Sequence, residues 1–181
     1  MGAPFRAVDD EVPAVIVPAH VIRIDRGDRV RPRVTGRVPK DNDVSLLDVD
    51  GTLYGTTSSG GKTLHCQERR GTVYSITTAG AEQVLHRFGG NHRDGGDPDD
   101  RLLNIGDKLY GTTYYWGEYK RGTVFSITTT GKERVLYSFP RVNDDGGGPL
   151  GGLADVNNML YGTTWFGGDY NNAGTVFTLK P

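Results

Sequence analysis

The sequence predicts an all-β protein, a β-propeller-like array of about three four-stranded blades, either a partial propeller or one completed by oligomerisation. The first observation is a pentapeptide, Leu-Tyr-Gly-Thr-Thr, that occurs at Leu53–Thr57, Leu109–Thr113 and Leu160–Thr164. The second is a Gly-Thr-Val-aromatic element that begins at Gly71, Gly122 and Gly174, so that successive copies start 51 and then 52 residues apart. The third is composition, because 27 Gly and 9 Pro supply many turns between short strands.

Each repeat is predicted to hold four strands, because short alternating segments lie between turn signals. In the second repeat the predicted strands are Arg101–Ile105, Lys108–Thr113, Gly122–Thr128 and Glu133–Phe139. The third of these strands is partly apolar on both faces, which favours sheets that are covered on both sides, as in stacked blades. The glycine inside each pentapeptide is expected to mark a close approach of backbone.

The chain divides into two regions. Residues 1–42 hold only 3 of the 27 glycines and seven arginines, and are predicted to be a non-repeat N-terminal segment, partly extended or disordered. Residues 43–181 are predicted to form the repeat domain, with units at about 44–88, 101–139 and 150–179. The third unit ends after its third strand, so Val12–Val17 or Val21–Ile24 is a candidate closing strand. The alternatives are a ring of several chains, a fragment of a longer array, or an open arc.

Charge and composition exclude some classes of partner. The net charge of −1 gives no basic excess for nucleic acid. No apolar run approaches ~18 residues, and the N-terminus shows no signal peptide or anchor, so no membrane insertion is predicted. The single cysteine, Cys66, allows no disulfide within the chain and leaves the redox compartment open. No cofactor is predicted.

From the end of the second unit through the third, the chain carries a further ordered set of elements: Val135–Phe139, Asp145–Gly147, Pro149, Gly152-Leu153, Asp155, Leu160–Thr164, Gly167-Gly168 and Gly174–Phe177. This order resembles the GloVer tandem repeat, and the resemblance covers roughly residues 44 to 179. The earlier copies are looser, with Arg101–Leu103 and Ser45–Leu47 in place of the Gly-Leu element. The resemblance implies a propeller-like fold and an extracellular or cell-surface setting in bacteria, and the family has no established catalytic residues to carry over.

Aromatic residues in the loops between the two landmarks form the candidate ligand site. Rings on loops at one end of a scaffold stack on the apolar faces of sugars. The alternative is that these rings wedge between neighbouring blades, and the first copy has no aromatic residue in the equivalent loop, Ser58–Arg70. The predicted ligand-binding residues are Tyr114, Tyr115, Trp116, Tyr119, Trp165, Phe166 and Tyr170.

Polar candidates are weaker. The acidic segments 94–100 and 143–148 offer oxygens to calcium, but they lack the spacing of a calcium loop and fit tight turns better. No metal site is predicted, because none of His20, His65, His86 and His92 has a two-histidine spacing. His86 aligns with Tyr137 and is predicted to fill a packing position. His65-Cys66 is a poor nucleophile pair, since adjacent side chains point apart, and Arg26-Gly27-Asp28 is attributed to chance.

The sequence therefore predicts a non-catalytic extracellular repeat scaffold that binds a glycan or a protein partner through loops at one end of the blades. The expected partners are a polysaccharide, a surface protein, or further copies of the chain that complete a ring. One alternative is a carbohydrate-active enzyme that uses the loop carboxylates of Asp97, Asp99, Asp144 and Asp145. The other is a structural spacer or a fragment of a longer surface protein.

Overall fold

The computed structural model describes residues 46–61, 70–141, 146–168 and 172–181. Within these ranges the chain consists of strands and turns and has no helix. The strands are β1 Leu47–Val49, β2 Thr52–Thr57, β3 Thr72–Thr77, β4 Glu82–Arg87, β5 Gly95–Gly96, β6 Leu103–Ile105, β7 Lys108–Thr113, β8 Tyr115–Trp116, β9 Thr123–Thr128, β10 Glu133–Ser138, β11 Gly147–Pro149, β12 Ala154–Val156, β13 Met159–Phe166 and β14 Val176–Leu179.

Each repeat folds as its own antiparallel sheet. Repeat 1 has the strand order β1-β2-β3-β4, and repeat 2 has the order β6-β7-β9-β10. The four strands predicted for the second repeat are confirmed; β7 has the predicted bounds, and the others are shorter by one or two residues at an end. Consecutive strands are neighbours in the sheet, so each repeat is a local unit that the two landmarks identify.

Repeat 3 differs at its edge. Strand β13 lies between β12 and β14, and its far end pairs with β11. In repeat 2 the same type of pairing joins β5, which precedes β6, to β8, which directly follows β7. In the described ranges β14 pairs only with β13, so repeat 3 has no counterpart of β4 or β10. The N-terminal strand that was predicted to supply this counterpart lies outside the described residues.

One hydrogen-bonded pair of threonines explains why the two landmarks recur together. The last threonine of each pentapeptide bonds to the threonine of the Gly-Thr-Val element, and the two Oγ1 atoms lie 2.8 Å apart in all three repeats. The same pentapeptide hydroxyl accepts a hydrogen bond from the backbone N–H of that second threonine. Because these groups are largely buried, each hydroxyl would be costly without its partner. The pairs are Thr57 with Thr72, Thr113 with Thr123, and Thr164 with Thr175.

The glycines of the landmarks have separate steric reasons. Gly122 has φ +92°, and a Cβ there would fall on the carbonyl oxygen of Thr113. A Cβ on Gly111, inside the pentapeptide, would lie 2.6 Å from the ring of Phe125. The predicted close approach at the pentapeptide glycine is therefore made by an aromatic side chain on the adjacent strand and not by backbone. The strand accepts a glycine because the ring covers it.

Each sheet has two apolar faces, which we name after the residues that define them. The Tyr-Val face carries the pentapeptide tyrosine and the Gly-Thr-Val valine, and the Leu-aromatic face carries the pentapeptide leucine and the aromatic residue after that valine. The register places each pair on one face, because Gly55 lies opposite Tyr74 and Thr56 lies opposite Val73. The Tyr-Val pairs are Tyr54 and Val73, Tyr110 and Val124, and Tyr161 and Val176; the Leu-aromatic pairs are Leu53 and Tyr74, Leu109 and Phe125, and Leu160 and Phe177.

The core consists of the contacts between successive repeats. One cluster joins the Tyr-Val face of repeat 1 to the Leu-aromatic face of repeat 2, with Tyr54 and Val73 against Leu109 and Phe125. The other cluster joins the Tyr-Val face of repeat 2 to the Leu-aromatic face of repeat 3 in the same way. The prediction that sheets are covered on both sides is confirmed for repeat 2, whose central strands are buried on both faces.

Candidate functional site

Two of the predicted site residues lie between repeats. The guanidinium carbon of Arg70 in repeat 1 lies 3.4 Å from the centre of the Trp116 ring in repeat 2. Arg121 of repeat 2 lies 5.0 Å from the centre of the Phe166 ring in repeat 3. Both arginines directly precede a Gly-Thr-Val landmark, so each junction places a cation over an aromatic ring of the following repeat. These two rings take the wedge role that was the alternative to ligand stacking.

The tyrosines of the second loop are divided between packing and solvent. The ring of Tyr114 reaches the segment of Gly148, where a Cβ would lie 2.8 Å from it. Tyr115 packs edge-on against Tyr114, with ring centres 4.3 Å apart, and remains 48% exposed. Tyr119 is 41% exposed. Tyr115 and Tyr119 are therefore the two members of this loop whose rings are open to a ligand.

Trp165 is also exposed, but its position in the repeat differs from those of Tyr115 and Tyr119. It follows the pentapeptide of repeat 3 directly, as Tyr114 follows that of repeat 2. Tyr114 is partly covered by repeat 3, whereas Trp165 is 64% exposed. Trp165 thus extends the Tyr-Val face of repeat 3. Tyr170, the last predicted site residue, lies outside the described residues.

The Tyr-Val face of repeat 3 carries three of the five large hydrophobic side chains that are exposed among the described residues. Val73 and Val124 are fully buried in repeats 1 and 2, but the equivalent Val176 is 64% exposed. Val156, on the same face, is 49% exposed, and Tyr161 is only half-buried. Together with Trp165, these residues present to solvent a surface that the first two repeats bury against a neighbour.

Acidic residues of the loop before β6 are held in an unfavourable environment. Burial raises the pKa of Asp97 and of Asp99, and the charge of Asp99 adds to the increase at Asp97. Burial also raises the pKa of Asp100 to about 8, with a further contribution from Asp99 and an opposing one from the backbone N–H of Arg101. Asp100 is 4% exposed, and its Oδ2 has no hydrogen-bond partner. Asp144 and Asp145, the other carboxylates of the enzyme alternative, lie outside the described residues.

Replacing Asp100 by asparagine is expected to flatten the dependence of stability on pH. With a pKa of about 8 when folded and 3.8 as the reference for the unfolded chain, the folded state keeps a proton that the unfolded state has released. The proton held by Asp100 in the folded state adds to the free energy of unfolding at low pH, and this contribution is lost as pH rises towards 8. The loss between pH 5 and pH 8 is up to about 4 kcal/mol for one group. Urea unfolding at the two pH values measures it.

The matched control is Asp107→Asn, in an exposed turn. It is expected to leave the pH dependence of the wild type unchanged. An Asp100→Asn variant that loses as much stability between pH 5 and pH 8 as the wild type does would contradict a protonated Asp100.

A second polar cluster forms at the junction of repeats 1 and 2. His86, Asp94 and Glu133 each offer one ligand atom, and these atoms all lie within 4.8 Å of one another. Burial raises the pKa of Glu133 to about 7; His86 lowers this pKa and Asp94 raises it. His86 also fills the predicted packing position, because its ring lies edge-on to that of Phe88, as the ring of Tyr137 lies edge-on to that of Phe139.

The comparisons with known proteins decide the family. The profile of the Gloeobacter/Verrucomicrobia repeat matches residues 32–181. The chain belongs to this repeat family. No curated protein and no solved structure matches it. The GloVer resemblance drawn from the motifs is therefore confirmed, and the match begins at residue 32, ahead of the boundary predicted at residue 43.

Membership of the Gloeobacter/Verrucomicrobia repeat family assigns no site. Two features of this family member were not predicted from its sequence: the exposed Tyr-Val face of repeat 3 and the cluster of His86, Asp94 and Glu133. The cluster gave no spacing signal because its members come from three separate segments. The residues His65, Cys66 and Arg26–Asp28 lie outside the described part of the chain. Within that part, no helix has the length and apolar character needed to cross a membrane.

Proposed function

We propose that this protein is a non-catalytic repeat scaffold that binds protein through the Tyr-Val face of repeat 3. The observation that carries the proposal is the contrast among three equivalent valines: Val73 and Val124 are fully buried, and Val176 is 64% exposed. Burying the exposed side chains of Val156, Trp165 and Val176 removes apolar area from water, and each Å² of buried area contributes about 25 cal/mol to binding. A surface of this kind is typical of an interaction site.

The partner that best fits this face is another repeat of the same type. At both internal junctions the Tyr-Val face packs against a Leu-aromatic face. Repeat 1 offers part of such a face: Leu53 and Ile76 are half-buried and lie opposite each other on β2 and β3, whereas Tyr74 on the same face is 2% exposed. A second copy of the chain therefore supplies the required surface. Two copies joined in this way at both ends hold six repeats, within the ~4 to 8 blades of ordinary propellers.

Cross-linking tests the geometry of this association. With Cys66→Ser to remove the native thiol, a Val176→Cys chain is mixed with a Leu53→Cys chain under oxidising conditions. A disulfide between the two different chains is the expected product, because the proposed contact joins opposite faces. A mixture of Tyr115→Cys and Leu53→Cys is the control and is expected to give little product. Equal cross-linking in both mixtures would contradict the head-to-tail contact.

A glycan ligand is the second candidate, and the exposure of Tyr115 and Tyr119 supports it. Exposed tyrosines in one loop suit stacking on sugar rings. The double variant Tyr115→Ala/Tyr119→Ala is expected to lose retention on a polysaccharide column, while Val176→Arg is expected to keep it. Unchanged retention of the double variant would contradict a glycan site at these tyrosines.

We also propose an extracellular or cell-surface setting, which rests on the GloVer resemblance alone.

A further inference from the structure

Three polar side chains from three separate segments meet at the junction of repeats 1 and 2. His86 lies on β4 of repeat 1, Asp94 precedes β5, and Glu133 begins β10 of repeat 2. The Nε2 atom of His86 lies 3.3 Å from Oδ1 of Asp94. Each residue offers one ligand atom, and the three atoms all lie within 4.8 Å of one another.

The carboxylate of Asp94 is fixed by backbone. Its Oδ2 accepts hydrogen bonds from the N–H groups of Gly89 and Gly90, at 2.7 and 2.9 Å. These bonds turn the other oxygen, Oδ1, towards His86. Outer hydrogen bonds that orient a carboxylate in this way are a usual feature of metal ligands. Asp94 is 3% exposed, so its charge is held away from water.

Glu133 has an oxygen that the protein leaves unsatisfied. Its Oε1 is buried and has no hydrogen-bond partner. A second carboxylate close to Asp94 adds repulsion to this loss of hydration. A divalent cation bound here would offset both the repulsion between the two carboxylates and the lost hydration of this oxygen. The side chain of His86 is 20% exposed, which leaves a route by which an ion and a water molecule reach the cluster.

We propose that His86, Asp94 and Glu133 bind a divalent transition-metal ion that joins repeat 1 to repeat 2. One imidazole nitrogen and two carboxylate oxygens suit Zn²⁺, which takes nitrogen and oxygen ligands at about 2.0–2.2 Å. The imidazole disfavours Ca²⁺ and Mg²⁺, which prefer oxygen ligands alone. The ligand atoms have to move closer together when the ion binds, and water completes the coordination.

The next junction gives the matched variant for a test. Tyr137 of repeat 2 occupies the position of His86, because it pairs with Val124 on β9 as His86 pairs with Val73 on β3. Tyrosine therefore fits this place in the fold. His86→Tyr removes the nitrogen ligand with a residue that the equivalent position already accepts.

Calorimetric titration of the full chain with ZnCl₂, after treatment with a chelator, tests the proposal. The wild type is expected to bind one ion at this site. His86→Tyr and the isosteric Glu133→Gln are each expected to weaken that binding by at least about tenfold. His92→Gln, outside the cluster, is the control for adventitious binding by histidine and is expected to keep the affinity. Zinc binding that is absent in the wild type, or unchanged in both cluster variants, would overturn the proposal.

A second readout separates a metal site from a simple ion pair. Zinc is expected to raise the unfolding temperature of the wild type, because an ion that binds only the folded state stabilises it. Zinc is expected to leave the unfolding temperature of His86→Tyr unchanged. If zinc has the same effect on both proteins, the cluster is only a histidine-carboxylate ion pair and the proposal fails.

Discussion

Replacing Phe125 by alanine is expected to lower the free energy of unfolding by about 3–5 kcal/mol, a range typical of a large buried aromatic side chain. The ring is fully buried, covers Gly111 and lies edge-on to Phe88, with ring centres 5.1 Å apart. Its removal opens a cavity at the junction of repeats 1 and 2. Urea unfolding followed by circular dichroism measures the change.

Tyr115→Ala is the control for this substitution. It also removes an aromatic ring, but the ring is 48% exposed. Its expected effect is within about 0.5 kcal/mol. A loss below about 1 kcal/mol for Phe125→Ala would contradict the packing of the ring between the two repeats.

The repeat architecture was predictable because its determinants are local in sequence. The paired threonines, such as Thr113 and Thr123, lie on adjacent strands of one repeat, and the glycines accommodate a turn or a neighbouring ring. Both requirements recur in every copy and leave a visible pattern. Strand Lys108–Thr113 has the predicted bounds because a turn and the threonine pair mark its two ends.

The roles of the aromatic residues were harder to predict because they depend on a different repeat. Trp116 lies beneath Arg70, which comes from the preceding repeat, while Tyr115 beside it stays in solvent. No local pattern distinguishes these two neighbours. The cluster of His86, Asp94 and Glu133 shows the same limit, since contact between repeats brings its members together.

The equivalent valines show most clearly what a repeated sequence leaves open. Val73, Val124 and Val176 occupy the same place in the same motif, yet the third is exposed. The motif determines which face of the sheet a valine is on. The burial of that face depends on the neighbour that covers it.

Val176→Arg is expected to abolish self-association. In the proposed complex, Val176 packs against the Leu-aromatic face of a second copy, as Val124 packs within its own chain. An arginine there would bury a charge in an apolar contact, which is strongly unfavourable without a partner. We expect the dissociation constant to rise at least about a hundredfold, equivalent to roughly 2.7 kcal/mol. The fold itself is expected to be unaffected, because this face is exposed in the single chain.

Light scattering on a sizing column gives the absolute mass and tests the central claim most directly. The single chain has a mass of 19.7 kDa. The wild type is expected to elute at twice this mass, Val176→Arg at the mass of one chain, and the control Tyr115→Arg as the wild type does. A wild type that remains a single chain at high concentration, or a Val176→Arg variant that still associates, would contradict a protein-binding role for the Tyr-Val face of repeat 3.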